Sequence, residues 1–155
     1  HWSKRTLWEA GTRTPLIFSY PGKIEEGSIC ETPVSLLDLF PTLNDLCKLP
    51  PRNDLDGISL APLLFNPDLP WDRPAVTIWG QNNVSVKTRH WRYIHYCDGS
   101  KELYDHRVDP HEWNNLAGEE YIQLINQLHR WVPECVPPTP NRRISWFQEH
   151  GLTCD

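Results

Sequence analysis

Residues able to do chemistry stand at the very start of the chain, in His1-Trp2-Ser3-Lys4-Arg5-Thr6-Leu7-Trp8-Glu9 followed by Thr12-Arg13-Thr14-Pro15. An ammonium such as Lys4 offers a compact charge to the oxygens of an anion, while arginine and glutamate neighbours can lock the loop around it. Taken by residue type alone, a solvated loop with a Glu9–Arg13 ion pair at helical spacing is the simpler account. A second set runs through Gly80-Gln81-Asn82-Asn83-Val84-Ser85-Val86-Lys87. The amides of Gln81, Asn82 and Asn83 and the ammonium of Lys87 suit sugar hydroxyls and carboxylates, and Gly-Asn clusters equally suit a hairpin turn. His90, His95, Cys97, His106 and His111 lack the short paired spacings of a structural zinc site, so no metal ligand is assigned. Asp105, Asp109 and Glu112 read as turn and cap residues rather than an acid/base pair.

The elements that must position these groups follow from periodicity. The apolar run Leu16-Ile17-Phe18, closed by Pro21-Gly22, predicts a short strand buried on both faces, which needs sheet neighbours on either side. Thr32-Pro33 predicts a helix start, and Val34, Leu37, Phe40, Leu43 and Cys47 fall at helical spacing over 32–48, giving one buried stripe. Pro41 inside that stretch should kink or restart the helix. Leu55-Asp56-Gly57-Ile58-Ser59-Leu60 predicts a turn, and the residues after it a short helix. Beyond a Pro-rich connector the pattern becomes strand-like at 75–79, 84–88, 91–97 and 102–104, with Asp98-Gly99 as a hairpin turn. Along the third of these, Trp91, Tyr93, His95 and Cys97 share a face. A helix over 119–131 should bury Ile122, Ile125, Leu128 and Leu124, and a Pro-rich tail follows.

Composition sets the outer bounds. The chain has 155 residues, 15 Lys+Arg against 20 Asp+Glu, and a formal net charge of −5. A mildly acidic balance without a basic stripe speaks against nucleic acid as the main partner. Apolar runs are too short to span a bilayer, and no charged start followed by an apolar stretch marks a signal peptide. Met is absent even at position 1, so the chain is expected to be a cleaved product or part of a longer one. Five cysteines without a CxxC pair do not make a disulfide framework, and at least one must be free or bonded to another chain.

The opening string, together with Thr12-Arg13-Thr14-Pro15-Leu16-Ile17, resembles the sulfatase family of the alkaline-phosphatase superfamily, and within it the iduronate-2-sulfatase-like branch. Three further strings in order are similar to that family: Ser35-Leu36-Leu37-Asp38-Leu39-Phe40-Pro41-Thr42-Leu43, Leu55-Asp56-Gly57-Ile58-Ser59-Leu60, and Glu102-Leu103-Tyr104-Asp105 with Asp109-Pro110-His111-Glu112-Trp113-Asn114-Asn115-Leu116-Ala117. The resemblance implies an α/β fold. The end of an alkaline-phosphatase-like sulfatase core would occupy 1–64, a small α+β subdomain with an antiparallel sheet and a C-terminal helix 75–131, and the tail 132–155. It also implies hydrolysis of sulfate esters of a sulfated sugar or polysaccharide. A formylglycine nucleophile and a calcium ion would both be supplied upstream of this chain.

By the same resemblance Lys4 contacts the sulfate oxygens, His1 and Trp2 line the pocket, and Gln81, Asn82, Asn83 and Lys87 approach its rim. Preorganised cations around a transferring oxyanion are what such chemistry demands. The partners implied are a sulfated carbohydrate and the rest of the sulfatase chain; the family is exported, periplasmic or lysosomal. Three departures stand out. No cysteine here begins the family's Cys-x-Pro-x-Arg motif, the metal-binding carboxylates are absent, and Val84 stands where a histidine is expected. The chain is therefore expected to be inactive alone. A phosphodiester or phosphonate hydrolase and a non-catalytic binding fragment are the rival readings.

Overall fold

A computed structural model describes residues 6–134. Its centre is a four-stranded antiparallel meander, β1 (Ala75–Trp79), β2 (Asn83–Lys87), β3 (Trp91–His95) and β4 (Lys101–Asp105), in spatial order β1-β2-β3-β4. The first hairpin turns through Gly80 and Asn82, at φ 62° and 58°, a region that glycine and asparagine enter at least cost. β3 is two residues shorter than its alternation suggests. Tyr96 already enters the next turn, which the Asp98 carboxylate closes by accepting from the Ser100 N–H at 2.8 Å.

Register assigns the two faces. Val86 pairs with Tyr93 and Tyr93 with Leu103, so these side chains share one face with Val84. That face is covered by α4 (Ile122–His129) through Ile125 and Leu128. Each fully buried aliphatic side chain there contributes roughly 1.5–3 kcal/mol. Ile122, expected in this stripe, is 49% exposed. A 3₁₀ turn, Glu119–Tyr121, precedes α4, and Tyr121 instead makes the first contact, its ring 5.9 Å from that of Trp91. The working stripe is thus Tyr121, Leu124, Ile125 and Leu128, the i, i+3, i+4, i+7 pattern of one helix face. The other sheet face carries Ile94 and Tyr104 and is covered by Leu7, with Trp8 beside it. Trp8 leads into α1 (Glu9–Thr12), a single helical turn.

Residues 16–18 do not form the expected buried strand. They have no regular secondary structure and no strand partner among the described residues, with Ile17 87% exposed, because the meander offers that segment no neighbouring strand.

The helix expected over 32–48 also differs. Ser35, not Thr32, is the cap: its hydroxyl accepts from the Leu37 N–H while the Asp38 carboxylate accepts from the Ser35 N–H at 2.9 Å. A 3₁₀ turn, Leu36–Asp38, then gives way to α2 (Leu39–Leu46), and Pro41 falls within the first turn of α2, where it is tolerated. Polar residues face inward. The Thr42 hydroxyl donates to the Asp38 carbonyl at 2.5 Å and accepts from the Leu60 N–H at 2.8 Å, and the Asp38 carboxylate accepts from the Ile58 N–H at 3.0 Å. These bonds dock the turn preceding α3 (Ala61–Phe65). Gly57 is required in that turn, since a Cβ there would lie 2.1 Å from the Leu37 carbonyl oxygen. The apolar stripe consequently points outward, leaving Leu37, Phe40 and Leu43 more than half exposed.

This apolar face and the unpaired 14–19 segment favour self-association. The 155-residue chain purified alone is expected to dimerise or aggregate at micromolar concentration in size-exclusion chromatography with light scattering. A monodisperse monomer across that range would contradict this.

Candidate functional site

The most demanding group in the structure is the guanidinium of Arg92, on β3 and only 2% exposed. A buried cation must have its charge and its donors matched. Arg92 Nε donates to Glu112 Oε1, Nη1 to the Leu7 carbonyl at 2.9 Å and to Ser85 Oγ at 2.7 Å, and Nη2 to Glu9 Oε2 at 2.5 Å. Glu112 closes the ring: its Oε2 accepts from the Glu9 N–H at 2.7 Å, and its Oε1 lies 2.7 Å from His106 Nε2. Beside this cluster, Trp8 Nε1 donates to Glu102 Oε2 at 2.6 Å. The segment immediately following Lys4 is therefore fastened to the sheet by charged, buried hydrogen bonds.

Glu112 reaches this position from the loop after β4. Asp109 Oδ2 accepts from the Trp113 and Asn114 N–H groups, and Asn115 Oδ1 accepts from those of Leu103 and Ala117. Between them Glu112 sits at φ 58°, a left-handed conformation that costs a non-glycine residue free energy. Burial alone would push the Glu112 carboxyl up. The His106 hydrogen bond, the Arg92 charge and the Glu9 N–H together outweigh burial and hold the carboxyl below its ordinary value.

Glu9, His106 and Glu112 are also the one group among the described residues whose ligand atoms could surround an ion, all lying within 4.8 Å of one another. The set does not fit calcium, which takes six to eight oxygens. Both carboxylates are already committed to Arg92 and one ligand is an imidazole, so no step is assigned to a metal here.

The residues singled out from sequence fare unequally. Lys4, His1 and Trp2 lie outside the described residues. Gln81, Asn82 and Asn83 build the β1–β2 turn: Asn83 Nδ2 donates to the Gln81 carbonyl at 3.1 Å, and Asn83 Oδ1 accepts from the Cys97 N–H at 3.2 Å. Asn82 borders a cleft of about 410 Å³ with His95, Cys97, His129, Arg130 and Glu134. Lys87 sits at the other end of β2, about 13 Å from Asn83 at the rise of a strand, so the four side chains do not converge. Instead Lys87 stands opposite Arg92 in the β2–β3 register, next to the clamp. Its ammonium donates to the Thr88 carbonyl at 2.7 Å. Burial pushes its pKa down to about 8, with the Glu9 charge opposing the shift and the Arg92 charge adding to it.

The Glu9–Arg13 pair forms at 3.8 Å with Arg13 well exposed, but the weight of Glu9 goes to Arg92. Arg92 itself had one legible signal. Trp91, Tyr93 and His95 occupy one face of β3, so Arg92 shares the opposite face with apolar Ile94, and an arginine there needs buried acceptors.

Comparison with known proteins decides the family. The profile for the C-terminal region of N-sulphoglucosamine sulphohydrolase matches residues 1–135. The chain belongs to this sulfatase family. A sulfatase of Formosa agariphila is 37% identical over 155 residues, covering 97% of this chain and 28% of that protein. Human arylsulfatase K is 33% identical, covering 81% of this chain and 27% of that protein. A solved structure in complex with its substrate, D-glucosamine-2-N,6-O-disulfate, superposes with a TM-score of 0.64 at 28% identity, covering 81% of this chain and 30% of that one. The chain thus spans less than a third of each of these three relatives. Among the described residues no helix is long and apolar enough to cross a membrane.

Two outcomes test this geometry. Glu112→Ala, which strands the buried Arg92 charge, is expected to destabilise the fold by roughly 3–5 kcal/mol in urea melts of the full-length protein. A midpoint unchanged from wild type would refute the clamp. The stability that Glu112 contributes is complete above its unfolded-state pKa and is lost as pH falls through its lower folded value, so the loss caused by Glu112→Ala should shrink on acidification. Competitive labelling of amines across pH should show Lys87 titrating near 8, whereas a value of an ordinary lysine would remove the burial argument.

Proposed function

We propose that this chain is the C-terminal portion of a sulfatase that hydrolyses sulfate esters of a sulfated sugar or polysaccharide. The family match over residues 1–135 carries this reading. Its relatives' names support the substrate class: an ulvan-active sulfatase of Formosa agariphila and an N-acetylglucosamine-6-O-sulfatase of Bacteroides thetaiotaomicron, each 28% identical. The iduronate-2-sulfatase-like branch rests on the four sequence strings alone. In this reading Lys4 contacts the transferring sulfate, with His1 and Trp2 beside it. The formylglycine and the calcium ion lie upstream, and when bound they supply the nucleophile and polarise the sulfate. In this reading Lys87, half-buried beside Arg92, serves the rim, while Gln81, Asn82 and Asn83 lie at the other end of β2, where the Asn83 amide bonds the Gln81 carbonyl and the Cys97 N–H. Residues 1–64 and 75–131 remain the proposed division between core and subdomain, with Leu7 bridging them by packing on Ile94 and Tyr104.

The test is release of inorganic sulfate by the full-length parent from an aryl sulfate and from sulfated glycans, with and without Lys4→Ala. Removing one preorganised charge from a transferring oxyanion should lower kcat by about 10²–10³. No sulfate release from a parent with an intact nucleophile motif would favour the phosphodiester or phosphonate hydrolase. A coding sequence without that motif would favour the non-catalytic fragment.

A further inference from the structure

We propose that Arg92 is a positioning residue for the sulfate-contacting lysine: its buried guanidinium, gripped by Glu9 and Glu112, holds the Leu7–Glu9 stretch that follows Lys4 in sequence. The inference rests on the reading of Lys4 given above. Lys4 lies three residues before Leu7, a span of at most about 11 Å of chain. The first carbonyl that Arg92 holds is that of Leu7, and the first carboxylate is that of Glu9. Leu7 is 3% exposed and packs on Ile94 and Tyr104, so this stretch is held by packing as well as by charge.

The geometry has features that general stabilisation does not require. An arginine, two glutamates and a histidine converge in a space where an apolar cluster of similar volume is often as stable or more so. Glu112 additionally accepts a left-handed backbone to present its carboxylate. Strain and buried charge of this kind fix one geometry and exclude near alternatives, which matters where an angstrom of misplacement of a charged contact lowers the rate. A guanidinium bonds four acceptor groups here in fixed directions, whereas a lysine ammonium could match neither their number nor their plane.

The experiment is a double-mutant cycle in the full-length parent, assayed by sulfate release from an aryl sulfate. Arg92→Lys keeps the charge and loses the fork. It is expected to lower kcat about tenfold or more with KM changed less than about threefold, and to change kcat less than about twofold when Lys4 is already alanine. Glu9→Gln, which keeps shape and loses charge, should repeat the pattern and carries the test if Arg92→Lys fails to fold by circular dichroism. Equal losses in the two backgrounds, or kcat unchanged in both variants, would overturn the positioning role while leaving the sulfatase reading intact. A wild-type parent that releases no sulfate, or one indifferent to Lys4→Ala, would overturn the sulfatase reading itself and this inference with it.

Discussion

A guanidinium removed from water is costly unless every face of it meets an acceptor and its charge meets a countercharge. In this chain that requirement is met by groups far apart in sequence: the Leu7 carbonyl and Glu9 carboxylate, the Ser85 hydroxyl on the neighbouring strand, and the Glu112 carboxylate from the loop beyond β4. Residues 7–9, the sheet and the post-sheet loop therefore meet at one side chain. The opposite sheet face is closed chiefly by apolar contact, with Ile125 and Leu128 over Val84, Val86, Tyr93 and Leu103, and one hydrogen bond joins Tyr93 Oη and His129 Nδ1 at 3.0 Å. One face of the sheet supplies generic stability and the other supplies directional constraint.

The region of α2 shows the same division with the polarity inverted. Asp38 and Thr42 turn inward because the Gly57–Leu60 backbone has N–H groups to satisfy and no strand to satisfy them. The leucines and phenylalanine at helical spacing are left facing out. Relatives extend far beyond the matched region, with this chain equal to 28% of one and 27% of another. An outward apolar stripe and an unpaired apolar run at 16–18 are what a chain packing against more of its own protein would carry, in keeping with the function proposed.

The string over 102–117, one of those that carry the resemblance to the family, also takes on a physical meaning. Asp109, Glu112 and Asn115 each satisfy backbone N–H groups or the buried arginine, so the string encodes a loop whose purpose is to deliver one carboxylate to Arg92. His106 adds a hydrogen bond to the same carboxylate. None of these residues needs to touch substrate for the string to be informative about the site.

Period-two alternation, the Asp98-Gly99 turn and the helical spacing of Leu124, Ile125 and Leu128 are local properties, and the sequence by itself determined the meander and its covering helix. It also determined the family, because ordered strings survive without knowledge of contacts. Which face of the 34–47 stretch is buried was decided by tertiary structure, since the helical repeat marks an apolar stripe but not whether its partner lies within the chain. The fate of the 16–18 run was decided the same way, as a strand exists only where a neighbour supplies its hydrogen bonds. The arginine clamp was likewise beyond reach of pattern: Glu9, Ser85, Arg92 and Glu112 share no periodicity, and only folding brings their charges within bonding distance.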